Sequence, residues 1–173
     1  IGGTKIAAGL CDREGRLSHV QRCATLAHEG WDAILGRIAE LAQQVMAEAQ
    51  PDPPFAVGVG TGGQVDPADG HIVHATPLLP GWTGLPLWAW MEQALGLPVA
   101  VANDVHAMGL GEAAHGAGQR YQHLLCIAVG TGIGGAYVIS GEVYQGAHGG
   151  AGHFGHVSID ALSGRRCNCG NVG

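Results

Sequence analysis

Between residues 31 and 49 the apolar positions recur at spacings of three and four: Trp31, Ile34, Leu35, Ile38, Leu41, Val45, Met46 and Ala49. That period gathers them on one face of an α-helix, and Pro51-Asp52-Pro53-Pro54 ends it. Upstream, residues 5–12 read as a strand, Arg13-Glu14-Gly15 as a turn, and a second strand runs to near Cys23. Residues 55–60 read as a buried strand leading into the loop Thr61-Gly62-Gly63. Pro86 suits the first position of a helix that ends at Gly96. A short buried strand over 98–102, a helix over 104–116 and a strand over 123–129 follow. Residues 134–140 and 142–144 predict a hairpin turning at Ser140-Gly141. Strand pairs alternating with helices indicate an α/β fold.

Composition narrows the class. Apolar residues make up 46% of the 173 and charged residues 13%, so a sizeable core is expected and disorder is not. Glycine is the outlier, at 31 residues, clustered without a collagen-like period; clusters of this kind suggest tight loops facing a ligand. A net charge of −6 with 8 Lys+Arg offers no basic face for nucleic acid. No apolar run reaches the roughly 18 residues of a membrane span, and no signal peptide is visible; a cytoplasmic location is expected. Of the five cysteines, Cys11, Cys23 and Cys126 sit in apolar stretches and read as reduced core residues. Cys167 and Cys169, one residue apart in a glycine-rich loop, suit a metal better than a disulfide.

Four short segments carry candidate chemistry. In Ile1-Gly2-Gly3-Thr4-Lys5 the backbone N–H groups and the hydroxyl can face a phosphate, or the segment is a plain β-turn. Gly130-Thr131-Gly132-Ile133-Gly134-Gly135 follows an apolar strand, where glycines admit phosphate oxygens close to the backbone. Asn103-Asp104 follows a strand and opens a helix. Either it caps that helix, or Asp104 is a carboxylate at the strand end, kept ionised by the helix dipole as a base must be. His156, Cys167 and Cys169 have zinc-ligand types, with ten residues between His156 and Cys167; a buried histidine beside two thiols is the alternative. His19, His28, His71 and His115 read as surface or packing residues.

Together these segments resemble the ROK family of sugar kinases and sugar-responsive repressors over nearly the whole chain. Ile1 to Lys5 looks like its opening phosphate loop, residues 57–66 its sugar-side glycine loop, and Leu79-Pro80-Gly81-Trp82 its substrate-loop signature. Asn103-Asp104 is similar to its catalytic pair and the glycines from Gly130 to its second phosphate loop. Gly155-His156 and Cys167-Asn168-Cys169-Gly170-Asn171-Val172-Gly173 resemble its zinc segment, whose pattern continues with a cysteine and, two positions on, a glutamate. Two departures stand out. Leu78 replaces the usual Asn before Leu-Pro-Gly-Trp, and His153 replaces the usual Glu of Gly-Glu-x-Gly-His. A similar Gly-His-x-Gly-His marks bacterial N-acetylmannosamine kinases.

The resemblance implies an actin-like (ribonuclease H-like) two-lobed kinase with ATP and sugar in the cleft. Residues 1–104 would form the first lobe and 105–173 the start of the second, with an incomplete zinc loop. Its implied catalytic base is Asp104, with Gly63, Asn103, His153 and His156 on the sugar. Gly3, Thr4, Lys5, Gly130, Thr131 and Gly132 would hold ATP phosphates together with Mg²⁺, and His156, Cys167 and Cys169 a structural zinc. The reaction would phosphorylate the 6-hydroxyl of a hexose or N-acetylhexosamine, with N-acetylmannosamine first, glucose next, and a transcriptional repressor as the non-enzymatic alternative. A homodimer is expected of the full-length protein, and no catalytic competence of this stretch alone.

Overall fold

The computed structural model describes all residues 1–173, in two compact units, Ile1–Asp104 and Val105–Gly173.

In the first unit, strands β1 (Lys5–Cys11) and β2 (Leu17–Ala24) pair antiparallel. Helix α1 (Trp31–Ala47) buries Ile34, Leu35, Ile38, Leu41 and Val45, the stripe expected from its spacing. Trp31, at its first residue, stays 44% exposed, and Ala49 is buried just past its end. Strand β3 (Val57–Thr61) pairs parallel with β6 (Val99–Asn103), register Thr61 to Asn103. Between them lie the short antiparallel pair β4 (Gln64–Val65) and β5 (Ile72–His74) and helix α2 (Leu87–Leu95). Pro86 is the N-cap of α2 rather than its first residue, and Gly96 closes it with φ 67°, a left-handed conformation suited to glycine. One core holds the unit together, with Ile6, Ile34, Leu35, Ile72, Trp82 and Leu87 all at 2% exposure or less.

Two expectations are corrected here. Phe55 is 79% exposed, because pairing begins only where Val57 meets Val99. Cys11, taken as a core residue, is exposed at the end of β1.

In the second unit, α3 (Asp104–His115, whose first residue closes the first unit) buries His106 and Gly109. Gly109 has to be small, since a Cβ there would lie 2.7 Å from the Cβ of Ala136. Strands β7 (His123–Val129), β8 (Ile133–Ile139) and β9 (Glu142–Val143) form an antiparallel meander. Ser140 and Gly141 turn the β8–β9 hairpin with φ of 52° and 86°, the two positive values of a type I′ turn. The remaining residues form loops, with one helical turn at Phe154–His156 and a bridge between Arg166 and Val172.

Candidate active site

Parallel pairing of β3 with β6 brings two chain segments to one sheet edge. Thr61 and Asn103 are the last residues of their strands, so Gly62-Gly63 and Asp104 leave the sheet side by side at its carboxyl edge. That edge is where open α/β sheets bind ligands. Asp104 is exposed there at the start of α3. Asn103 Nδ2 donates to Gly63 O at 2.9 Å, tying the end of β6 to the glycine loop. Gly63 is demanded by the fold, since its φ is +108° and a Cβ would lie 2.7 Å from His74 O.

The opening segment lies against the same loop. Ile1 N donates to Gly60 O at 2.6 Å, and Gly62 N to Ile1 O at 3.2 Å. The fully buried Thr25 shapes the turn, donating its hydroxyl to Gly2 O at 2.6 Å and its N–H to Thr4 O at 3.0 Å. Arg37 of α1 in turn donates to Thr25 O at 2.8 Å. A Cβ on Gly3 would press on Leu78 O at 3.0 Å, so Leu78, the departure before Leu-Pro-Gly-Trp, borders this turn. Thr4 and Lys5 are exposed at its end.

Trp82 closes the Leu79-Pro80-Gly81-Trp82 segment. It is fully buried, and its Nε1 donates to Thr61 Oγ1 at 3.0 Å. It therefore supports the glycine loop from the core.

In the second unit, residues 130–132 form the three-residue connection between β7 and β8, closed by Gly130 N donating to Gly132 O at 2.8 Å. A Cβ on Gly130 or Gly132 would meet nothing within 4 Å, and neither has a positive φ. The fold itself does not require glycine at either position. Gly134 and Gly135 differ, since they lie inside β8, where a Cβ would strike Val105 at 2.5 Å and Phe154 at 2.2 Å respectively. Of the six-residue glycine stretch only the first half is an open loop; Thr131 is exposed at its tip.

Three histidines gather in the same unit. His153 and His156 stack at 6.2 Å between ring centroids, and His106 meets the His153 ring edge-on at 6.0 Å. His106 is 4% exposed, with Nε2 2.9 Å from Ala151 O. Sequence reasoning missed it, as it missed Thr25: a single polar residue near the start of a helix, or just past the end of a strand, carries no periodic signal.

His156, Cys167 and Cys169 bring their ligand atoms within 4.8 Å of one another, with His156 Nδ1 3.6 Å from Cys167 Sγ. Tetrahedral zinc with bonds of about 2.0–2.3 Å spaces its ligands roughly 3.5–3.8 Å apart, so this donor set fits one ion. The Cys169 backbone N–H, then the Cys169 side chain and the Asn168 N–H, hydrogen-bond the Cys167 sulfur and hold its pKa below the ordinary thiol value. A thiolate is the form that binds metal.

The ROK family profile matches residues 1–173. A glucokinase of Thermotoga maritima is 34% identical over 173 residues, covering 100% of this chain and 53% of that protein. An N-acetyl-D-glucosamine kinase of Citrobacter koseri is 34% identical over 182 residues, covering 100% of this chain and 58% of that protein. Among solved structures, a ROK family glucokinase from Streptomyces griseus in complex with glucose and AMPPNP superposes with a TM-score of 0.90 at 36% identity, covering 100% of this chain and 53% of that one. A ROK family transcriptional regulator, a homolog of the E. coli MLC protein, superposes with a TM-score of 0.81 at 28% identity, covering 100% of this chain and 43% of that one. The chain spans about half the length of the curated relatives it matches. Its fold is that of the actin-like sugar kinases over their first lobe and the start of the second. Matched from its first residue to its last, the chain belongs to the ROK family.

Proposed function

We propose that the full-length protein is an ATP-dependent cytoplasmic kinase that phosphorylates the 6-hydroxyl of a hexose or N-acetylhexosamine, N-acetylmannosamine foremost. The observation that carries this reading is the exposed Asp104 carboxylate at the β6–α3 junction, beside the glycine loop held by Asn103.

Phosphoryl transfer depends on positioning and charge stabilisation more than on covalent chemistry. Asp104 takes the proton from the sugar's 6-hydroxyl as that oxygen bonds to the terminal phosphorus of ATP, while the bond from that phosphorus to the β–γ bridging oxygen breaks and ADP leaves with its electron pair. Asn103, the Gly63 backbone, His153 and His156 orient the sugar. Gly3, Thr4 and Lys5 in the first unit, and Gly130, Thr131 and Gly132 in the second, bind phosphate oxygens through backbone N–H groups, hydroxyls and the ammonium. Mg²⁺ accompanying ATP supplies neutralisation of phosphate charge. The open space around Gly130 and Gly132 supports the phosphate role, because the fold gives no other reason for glycine there. His156, Cys167 and Cys169 would hold zinc, which supplies a cross-link that fixes the His156 ring. Metal analysis of the full-length protein is expected to find about one zinc per chain, and finding none removes that assignment.

The substrate preference rests on His153. An imidazole in place of a carboxylate changes the hydrogen bonds offered to the sugar. A coupled assay against N-acetylmannosamine, N-acetylglucosamine, mannose and glucose tests it; a clear preference for glucose would make the protein a glucokinase. General-base catalysis contributes about 10²- to 10⁴-fold, so Asp104→Asn is expected to lower kcat at least about 100-fold while sugar binding survives. Turnover near that of the wild type would take Asp104 out of the mechanism.

A regulator is favoured by one observation, the solved ROK transcriptional regulator that superposes over the whole chain. Operator-binding by the full-length protein, released by sugar and without sugar phosphorylation, would establish that reading in place of the kinase.

A further inference from the structure

His106 has no role in the chemistry above, yet its imidazole is the most deeply buried titratable side chain of the second unit. As third residue of α3 it is 4% exposed, and its Nε2 lies 2.9 Å from Ala151 O. A carbonyl oxygen brings no proton, so Nε2 carries the hydrogen and donates it. The same logic applies one turn of the loop later. His153 Nδ1 lies 3.1 Å from Gly150 O and 3.4 Å from Ala151 O, two acceptors, so Nδ1 also carries a proton. Ala151 O thus stands between the two rings and faces both N–H groups.

The segment between them has little freedom. Gly152 has φ +84°, and a Cβ there would lie 2.4 Å from Gly135 O and 3.0 Å from His106 Nε2. A Cβ on Gly135 would in turn lie 2.8 Å from Gly152 O. Backbone of β8 and the ring of His106 clamp the loop from two sides. With Nδ1 committed to carbonyls, a neutral His153 presents a lone pair at Nε2.

We propose that His106 is a positioning residue that, through the Ala151 carbonyl, holds His153 in its Nδ1–H tautomer, so that Nε2 accepts a hydrogen bond from the sugar. This deepens the sugar-kinase reading and rests on it for the identity of the ligand. The selected ligand group is a donor, a ring hydroxyl or the N–H of an acetamido substituent. His153 then replaces the acceptor function of a carboxylate without its charge.

The test uses full-length, zinc-loaded protein and four forms: wild type, His106→Gln, His106→Asn and His106→Leu. Glutamine places its amide N–H₂ near the site of the original Nε2; asparagine places its own near Nδ1, and leucine has none. Imidazole ¹⁵N spectra of ligand-free protein, recorded on the alkaline plateau where the signals no longer move with pH, read the tautomer directly. The expected result is Nδ1–H at His153 in the wild type and in His106→Gln, and mixed tautomers in His106→Asn and His106→Leu. In parallel the sugar KM should rise about five- to tenfold in the asparagine and leucine forms, the worth of one hydrogen bond, with the ATP KM and kcat unchanged. The glutamine form should restore it. An Nε2–H tautomer in the wild type overturns the proposal. So does a His106→Leu protein with wild-type tautomer and sugar KM, or a glutamine form as impaired as the leucine one. Should the leucine form fail to fold, the glutamine and asparagine pair decides. A wild type that phosphorylates no sugar sinks the kinase reading instead, while the ligand-free spectra still judge His106.

Discussion

Glycines at the candidate site fall into two kinds that respond differently to a methyl group. Gly63 adopts φ +108° with His74 O behind it, so Gly63→Ala forces both a left-handed alanine and a 2.7 Å contact. Strain of this sort costs about 1–3 kcal/mol, and thermal denaturation of the variant should show a loss of that size. Gly130 has neither constraint. Gly130→Ala should leave stability within about 0.5 kcal/mol while raising the ATP KM, because the methyl occupies space reserved for phosphate. An unchanged ATP KM would make the 130–132 connection a mere hairpin turn.

Cys167 gives a pH-dependent prediction at the same scale. Its pKa is lowered, chiefly by the Cys169 N–H, so its thiolate is populated at lower pH than that of an ordinary thiol near 8.5. As pH rises from about 6 in metal-free protein, alkylation of Cys167 should therefore turn on before that of an unperturbed thiol, and added zinc should suppress it. Labelling read by mass spectrometry that follows an ordinary thiol curve would contradict the geometry.

At the scale of elements, the role of Leu79-Pro80-Gly81-Trp82 turns on where it packs. The indole of Trp82 sits in the core of the first unit and donates to the buried Thr61 hydroxyl, at the end of β3. Trp82→Phe keeps most of the apolar area and removes the N–H, leaving a buried hydroxyl short of a donor. That should cost about 1–3 kcal/mol and loosen the Gly62-Gly63 loop, raising the sugar KM along with the stability loss seen in denaturant titration.

Elements were legible where a period or a stop signal defined them. The three-and-four spacing placed α1, Gly96 ended α2, and Ser140-Gly141 turned β8 into β9. Motif order likewise located Asp104 and the zinc-type residues, because the resemblance fixed their sequence positions. What composition could not show was partnership. Phe55 looks like strand interior until the register starts at Val57. Cys11 alternates to the exposed side of β1. The approach of His106 and Gly135 to the 150–153 loop depends on contacts between α3, β8 and a segment some 45 residues later, which no local pattern encodes.

Across the whole chain, apolar residues are about equally frequent in the two units but are not equally buried. The first encloses its large side chains in one cluster. The second leaves Leu125, Ile127 and Val129 exposed at 53%, 56% and 79%, all on one face of β7, with Ile133 at 53% beyond the turn. A contiguous apolar row of this kind is unusual on the surface of a soluble monomer. Each residue of the row adds little to the folding of these 173 residues, since most of its surface is already in water. Ile127→Lys in the 173-residue chain should therefore change the denaturation midpoint by less than the equivalent of about 0.5 kcal/mol. It should also reduce binding of a hydrophobic dye and slow aggregation, because it interrupts the row at its centre. Val138→Lys offers the contrast: at 1% exposure on the neighbouring strand β8, it should unfold the second unit outright. Equal destabilisation by the two substitutions would mean that β7 packs its outward face in solution.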